Sequence, residues 1–350
     1  MASLNRDSLL SVYNRFTGLI EKLPGGLQKP ILRELTPIRE LFLEQRPARL
    51  MLVGGSRRNV LEILEGFGGK DLQACSSDNG WRTYRVERRG DIEIFDARTE
   101  TPEGLVAMAI ERKMPDVVLF LEEEETGESA WKQAAAHCKG LSAPLIGITF
   151  SGVSSFRLLA RLSADPVLST RVPRVLADSD PACVEAICTA LPLSAQLEFA
   201  RLTNARGAQA HIAGSLLKSF SAVCGVIGVQ PIPLADMPIL TTLQTLMVGM
   251  IIHTTGRAFT MRLVMEFLGA LGFNIGAGLA MREGARALLK IIPIWGNAVS
   301  GFIAGAGTYA IGRAAIAYFI EETPITETRK IFRKLLPRWR KPPAPPALPG

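Results

Sequence analysis

The period of the hydrophobic pattern changes twice along the chain. Residues 1–46 read as two amphipathic helices parted at Leu23-Pro24-Gly25-Gly26, and in the second Leu32, Leu35, Ile38 and Leu41 recur at the spacing of one helical face. Pro30 suits that helix's first turn, where no intrahelical N–H is required, and Pro37 within the stripe predicts a kink. From Arg49 to Asp178, short β-like runs alternate with helix-like segments: RLMLV, TYRVERR, DIEIF, DVVLFL, PLIGIT and PRVLA. The unbroken apolar runs Val117–Leu121 and Leu145–Ile148 predict strands buried on both faces. Trp81–Arg88 instead alternates and is followed by Gly90, which predicts an antiparallel edge hairpin. After Pro192 the texture turns helical up to Glu321, rich in Ala, Gly, Leu and Ile.

These elements predict an α/β fold with two main parts. A doubly wound, mostly parallel sheet spans 47–190, and a C-terminal all-α, hydrophobic, Gly-rich helical domain spans 191–322. The N-terminal helices of 1–46 precede them, and a basic, Pro-rich tail over 323–350 follows, closing on KPPAPPALPG, which reads as extended or disordered. A length of 350 residues fits two domains, each large enough for its own core.

Composition sharpens the contrast between the two parts. A 47% hydrophobic content lies at the apolar end for soluble proteins, while 21% charged residues exclude a wholly membrane-embedded chain. The five cysteines, Cys75, Cys138, Cys183, Cys188 and Cys224, are odd in number and lack metal-type spacing, which predicts a reducing compartment without a disulfide framework. The N-terminal stretch carries Arg6, Asp7 and Arg15 among its apolar residues and reads as an amphipathic helix, not a leader. The net charge of +7 is concentrated in Thr326–Lys341, where Arg329, Lys330, Arg333, Lys334, Arg338, Arg340 and Lys341 face one acid, Glu327. Such a cluster attracts phosphate-rich surfaces or is simply a solvated end; a membrane surface is the expected partner, and nucleic acid is not.

Candidate chemistry gathers at the predicted strand ends. The first strand ends in Leu52-Val53-Gly54-Gly55, the hairpin in Asp96, and later strands near Phe120 and Thr149. In that order and with those ends, residues 48–190 resemble the Era-like branch of P-loop GTPases. The resemblance implies a phosphate loop G-x-x-x-x-G-K-[ST], whose backbone wraps the phosphates while the Lys reaches them and the hydroxyl holds magnesium. Counting from Gly54, the last three positions fall on Asn59, Val60 and Leu61; from Gly55 they fall on Val60, Leu61 and Glu62. The implied Asp-x-x-Gly corresponds to Asp96-Ala97-Arg98-Thr99, which keeps the Asp alone, and the guanine-reading [NT]-K-x-D corresponds to Thr149-Phe150-Ser151-Gly152, which lacks Lys and Asp. Losing these charge-assisted bonds, each about 1.5–3 kcal/mol, predicts a pseudo-GTPase without cofactor.

The degenerate pocket consists of Gly54, Gly55, Ser56, Arg57, Arg58, Asp96 and Thr149. Its short basic loop is either a pair of solvated arginines or an anion nest, and under the second reading GTP or GDP with magnesium binds to an atypical arginine phosphate loop. No catalytic residue and no metal site is expected: Glu122–Glu125 reads as an exposed acidic loop, and His137, His211 and His253 lack metal spacing.

The helical part carries two uncharged runs, Met237–Gly256 with twenty residues and Ile291–Gly312 with twenty-two, both long enough to cross a bilayer. Small residues recur every fourth position at Gly272, Gly276, Ala280 and Gly284, and again at Gly301 and Gly305, a device that brings helix backbones together in lipid or in a soluble bundle. Gly228-Val-Gln-Pro-Ile-Pro-Leu-Ala-Asp236, Gln244, Gly256-Arg257, Ile292-Pro-Ile-Trp-Gly296 and Gly305-Ala-Gly-Thr-Tyr-Ala-Ile-Gly-Arg313 resemble the helical domain of unknown function that follows Era-like GTPase domains in bacteria. That resemblance covers most of 195–320 and implies a bacterial protein at the cytoplasmic face of the membrane. A protein partner, either a GTPase paralogue or a second copy, is expected beside the lipid. Asp236 reads as an N-cap for the helix that follows.

Overall fold

A computed structural model describes residues 18, 20, 25–55, 58–87, 89–98, 101–123, 127–138, 140–150, 175–177, 181–229, 236–257, 260–272 and 297–336. The expected first N-terminal helix therefore lies outside the described residues for the most part. So do Ser56, Arg57, Arg338, Arg340, Lys341, the Pro-rich end, the Gly276–Gly284 stripe and the Pro231 and Pro293 motifs.

The fold is α/β. Among the described residues there are seven strands, β1 Ala48–Gly55, β2 Gln73–Asp78, β3 Trp81–Val86, β4 Gly90–Asp96, β5 Val117–Glu122, β6 Leu145–Thr149 and β7 Val175–Ala177. They form one sheet in the order β2-β3-β4-β1-β5-β6-β7. Strands β4, β1, β5, β6 and β7 run parallel to one another, while β3 pairs antiparallel with β4 and β2 antiparallel with β3. The alternating Trp81–Val86 strand is thus not the edge: β2 covers it, and every residue of β2 is exposed. A strand exposed at every position has no hydrophobic alternation for sequence reading to detect.

The described helices are α1 Gly25–Phe42, α2 Val60–Gly66, α3 Glu103–Arg112, α4 Glu128–Cys138, α5 Pro181–Ala190, α6 Leu193–Leu202, α7 Arg206–Val229, α8 Asp236–Thr254, α9 Met261–Leu271, α10 Asn297–Phe319 and α11 Ile325–Leu335. Helix α1 begins at Gly25, inside the expected break, so Pro30 falls beyond its first turn and the helix continues past Pro37 to Phe42. Leu35, Ile38 and Leu41 of the expected stripe are buried, and Ile31 joins them in place of Leu32, which is left 44% exposed. After β7 every described regular element is a helix.

The chain divides into two compact units. The first includes Leu35–Ser215 and Met250–Phe259, and the second Val12–Glu34, Leu216–Gly249 and Thr260–Gly350. In the first, the period-two alternation of β1 sends Met51 and Val53 to one face of the sheet, where they meet Trp81, Phe95, Val118 and Phe120 with Val106 and Ala109 of α3 and Ala134 and Cys138 of α4. Trp81 fills this layer against Phe95, ring centroids 5.6 Å apart, and donates its indole N–H to the Ala109 carbonyl at 3.1 Å. Leu50 and Leu52 point the other way and are equally buried, with α6 packed against β1 and β4. At the amino ends of the strands, Arg46 holds both oxygens of Asp116, and Glu93 joins Arg49 at 3.0 Å and Lys113 at 2.8 Å.

In the second unit α7 and α10 run antiparallel and nearly touch. A Cβ on Gly301 would collide with the Val229 side chain and lie 2.7 Å from the Gly225 carbonyl oxygen, and one on Gly305 would lie 3.1 Å from that of Ser221. The Gly301/Gly305 stripe therefore does let two backbones approach. Thr308, on the same helix, accepts a hydrogen bond from Gln244 of α8 at 3.0 Å and donates to the Ala304 carbonyl at 2.8 Å.

Candidate functional site

Strand β1 is where the strand order reverses, with β4 on one side and β5 on the other, and ligands of open α/β sheets bind outside the carboxyl ends of the strands at such a point. The register aligns those ends: Leu52 pairs with Asp96, Gly55 with Glu122, and Glu122 with Thr149. The structure thus brings Gly54, Gly55, Asp96 and Thr149 to one edge of the sheet. Gly54 has φ +101°, and any Cβ there would strike the Leu121 carbonyl oxygen, so the turn out of β1 requires glycine.

The loop leads into α2 through Asn59, which forms a reciprocal cap. Its side chain accepts the Glu62 N–H at 2.9 Å, and the Glu62 carboxylate accepts the Asn59 N–H at 3.0 Å. The helix start thus carries its own carboxylate and amide oxygen where a phosphate-binding loop would present N–H groups to a ligand.

Among the described residues Asp96, Arg98 and Arg58 are engaged with neighbouring groups. Arg98 grips Asp96 through both carboxylate oxygens, each at 2.7 Å, and donates to the Arg58 carbonyl at 2.6 Å. The Arg98 side chain is 10% exposed, which makes its fork to Asp96 a half-sheltered, directional pair. The Arg58 guanidinium lies 4.3 Å from the centre of the Phe150 ring and 3.6 Å from a Glu123 oxygen. Glu122, expected in an exposed acidic loop, instead ends β5 and is buried, as is Thr149, and the Phe150 N–H donates to the Glu122 carbonyl at 3.2 Å. Arg98, Glu123 and Phe150 are the site residues that motif reading passes over. The one signal for Arg98 is its place two residues after Asp96.

The histidines do not assemble with this edge. His253, in the first unit, is buried beside Phe42, ring centroids 5.9 Å apart, with its Nε2 3.4 Å from Arg201. Burial, helped by the Arg201 charge, pushes its pKa down to about 3. All five cysteines are free thiols, and burial raises Cys188 and Cys224 to about 12, which removes them from thiolate chemistry at neutral pH. Among the described residues no group of His, Cys, Asp and Glu could hold a metal ion.

Four of the seven clustered cations are described, and they lie on α11. Thr328 and Phe332 form its buried face. Arg329 points inward, donating to the Ala270 carbonyl at 2.9 and 2.6 Å and so capping the end of α9. Lys330 is exposed and pairs with Glu327 at 2.7 Å. Among the described residues one helix, α7, is long and apolar enough to cross a membrane, and half of its apolar window is buried within the protein. No family model matches the chain, and no curated protein matches it either.

Proposed function

We propose that this protein is a non-catalytic, GTPase-like scaffold or regulator working at the cytoplasmic face of a bacterial membrane. On this reading it has no cofactor; its partners are a lipid surface and a protein chain, either an active GTPase paralogue or a second copy. The observation that carries the reading is that Asp96, Arg98 and Arg58, among the described residues at the strand ends, are already engaged within the protein. Magnesium and a nucleotide need a carboxylate able to act on the metal, a cation able to meet phosphate, and a lysine and carboxylate at the base. Here Asp96 is held by Arg98, Arg58 lies on Phe150 beside Glu123, and Phe150 stands where the resemblance requires the lysine. The described residues of this edge therefore do not fit GTP with magnesium, and the Asn59–Glu62 cap supports the same conclusion.

The test is calorimetric titration of the full chain with GTP and with GDP in the presence of magnesium. The expected result is no binding up to millimolar nucleotide. Micromolar binding would overturn the reading in favour of an atypical switch built on the arginine loop, and an Arg58→Ala variant would then lose that affinity.

A further inference from the structure

In the second unit the antiparallel pair α7–α10 has one exposed face whose polarity is graded along its length. At one end Val229 is 40% and Phe302 69% exposed, and toward the middle Val226 is 37% and Tyr309 42% exposed. Side chains of this size are not normally left in water together on one face. They line an apolar depression with Ala222 and Ala306, floored by the glycines that let the two helices touch. The depression continues over Ala222 and Val226 to α1, where Lys29 and Arg33 line it together with Glu34. Lys29 and Arg33 are exposed and four residues apart, hence on one side of their helix. On α7 itself the exposed stripe passes from Val229 through Val226 and Ala222 to Lys218, which a helix of these proportions sets about 16 Å behind Val229.

The apolar depression is therefore flanked on its α1 side by Lys29 and Arg33, with Glu34 beside them, and has Lys218 behind it along α7. An anionic bilayer has the complementary profile, with hydrocarbon below and phosphate above, and interfacial elements sink about 5–10 Å into it. We propose that the Val229–Phe302 end of α7–α10 inserts into the surface of an anionic phospholipid bilayer, with Lys29, Arg33 and Lys218 meeting the phosphate headgroups. Tyr309, between Gly305 beside Ser221 and Gly312 beside Leu217, lies near the level of Lys218, where an amphipathic ring meets the headgroups. The inference rests on the membrane reading above and assigns it to a definite surface, distinct from the basic helix α11.

Flotation of the full chain with phosphatidylcholine vesicles, with and without phosphatidylglycerol, tests it. The wild-type chain is expected to float with the anionic vesicles. Phe302→Asp with Val229→Asp should weaken the partition about tenfold or more, given the apolar area withdrawn from lipid. Lys29→Glu, Arg33→Glu and Lys218→Glu together should abolish the preference for phosphatidylglycerol, each charge near the surface being worth about fivefold. Arg333→Glu with Lys334→Glu, on α11, should leave most of the binding intact. Circular dichroism and gel filtration check that each variant is folded. Flotation unaffected by the groove and Lys29 variants but lost in the α11 variant would overturn this surface and leave the membrane reading standing. No flotation of the wild-type chain with either vesicle would overturn both. A dimer in sedimentation that Phe302→Asp dissociates, without flotation, would give the face to a second copy and overturn the proposal.

Discussion

The carboxyl edge of the sheet and the exposed face of α7–α10 differ in how their side chains are satisfied. At the sheet edge Asp96 is answered by Arg98, the Arg58 carbonyl by the same Arg98, and the Arg58 guanidinium by Phe150 and Glu123. On the helical face Phe302, Tyr309, Val226 and Val229 remain exposed, with Lys29 and Arg33 beside them. Where the fold would favour a ligand, the chain supplies its own counter-charges; where the fold alone offers no site, apolar surface is kept in water at a cost. The position of a pocket in a fold therefore says less about function than whether its groups still have something to bind.

Both regions nevertheless depend on glycine for a backbone approach, and there the comparison can be broken hardest. Gly54→Val adds a Cβ against the Leu121 carbonyl at a positive φ, between strands that cannot separate without losing their ladder. A loss of about 3 kcal/mol or more in urea unfolding is expected. Gly301→Ala places its methyl against Val229 and the Gly225 carbonyl, yet helices can slide by tenths of an ångström, so the expected loss is smaller, about 1–3 kcal/mol. If Gly301→Ala proved the more damaging, the helical pair would be the more rigid of the two regions.

The first unit also buries a titratable ring, which separates it further from the open helical face. His253 has a folded pKa of about 3 against an ordinary 6.5, so the unfolded chain takes up the proton first. Its contribution is fully present above about pH 6.5 and is lost as the pH falls from there toward 3. Between pH 8 and pH 5 that is about 2 kcal/mol of stability, and His253→Gln should flatten the dependence over this window. Parallel pH slopes for the two proteins would show that His253 is not the group responsible.

What could be read from the sequence follows from how locally each feature is encoded. The strands β1, β5 and β6 announce themselves as apolar runs because burial on both faces leaves no other composition, and the Gly301/Gly305 stripe announces a close helix contact. The surface it meets is Ser221 and Gly225, also small and four residues apart, but their spacing does not say which helix they meet. Strand β2 is legible to no hydrophobic criterion, being exposed at all six positions. Asp96 is visible as a strand end, but its meaning depends on Arg98, which reaches it because the chain bends after β4, so that the Arg98 N–H and guanidinium both donate to the Asp96 carboxylate. Arg58 and Phe150 meet only through the sheet's register, which brings the ends of β1 and β6 together, and no spacing rule links them.

The smallest expected effect concerns α11, whose charges the sequence presents as one basic cluster. Arg329 and Lys330 are neighbours of like charge, but their surroundings are opposite. The Arg329 fork closes the Ala270 carbonyl at the end of α9, and Arg329→Ala would leave that oxygen without its donor, for an expected loss of about 1 kcal/mol. Lys330 holds Glu327 at 2.7 Å with both side chains more than half exposed, a pairing that water and salt largely screen. Lys330→Ala is therefore expected to change stability by less than about 0.5 kcal/mol and to lose even that in high salt. Equal effects of the two substitutions would mean that α11 does not hold α9 through Arg329, and would return that residue to the cations available for a surface.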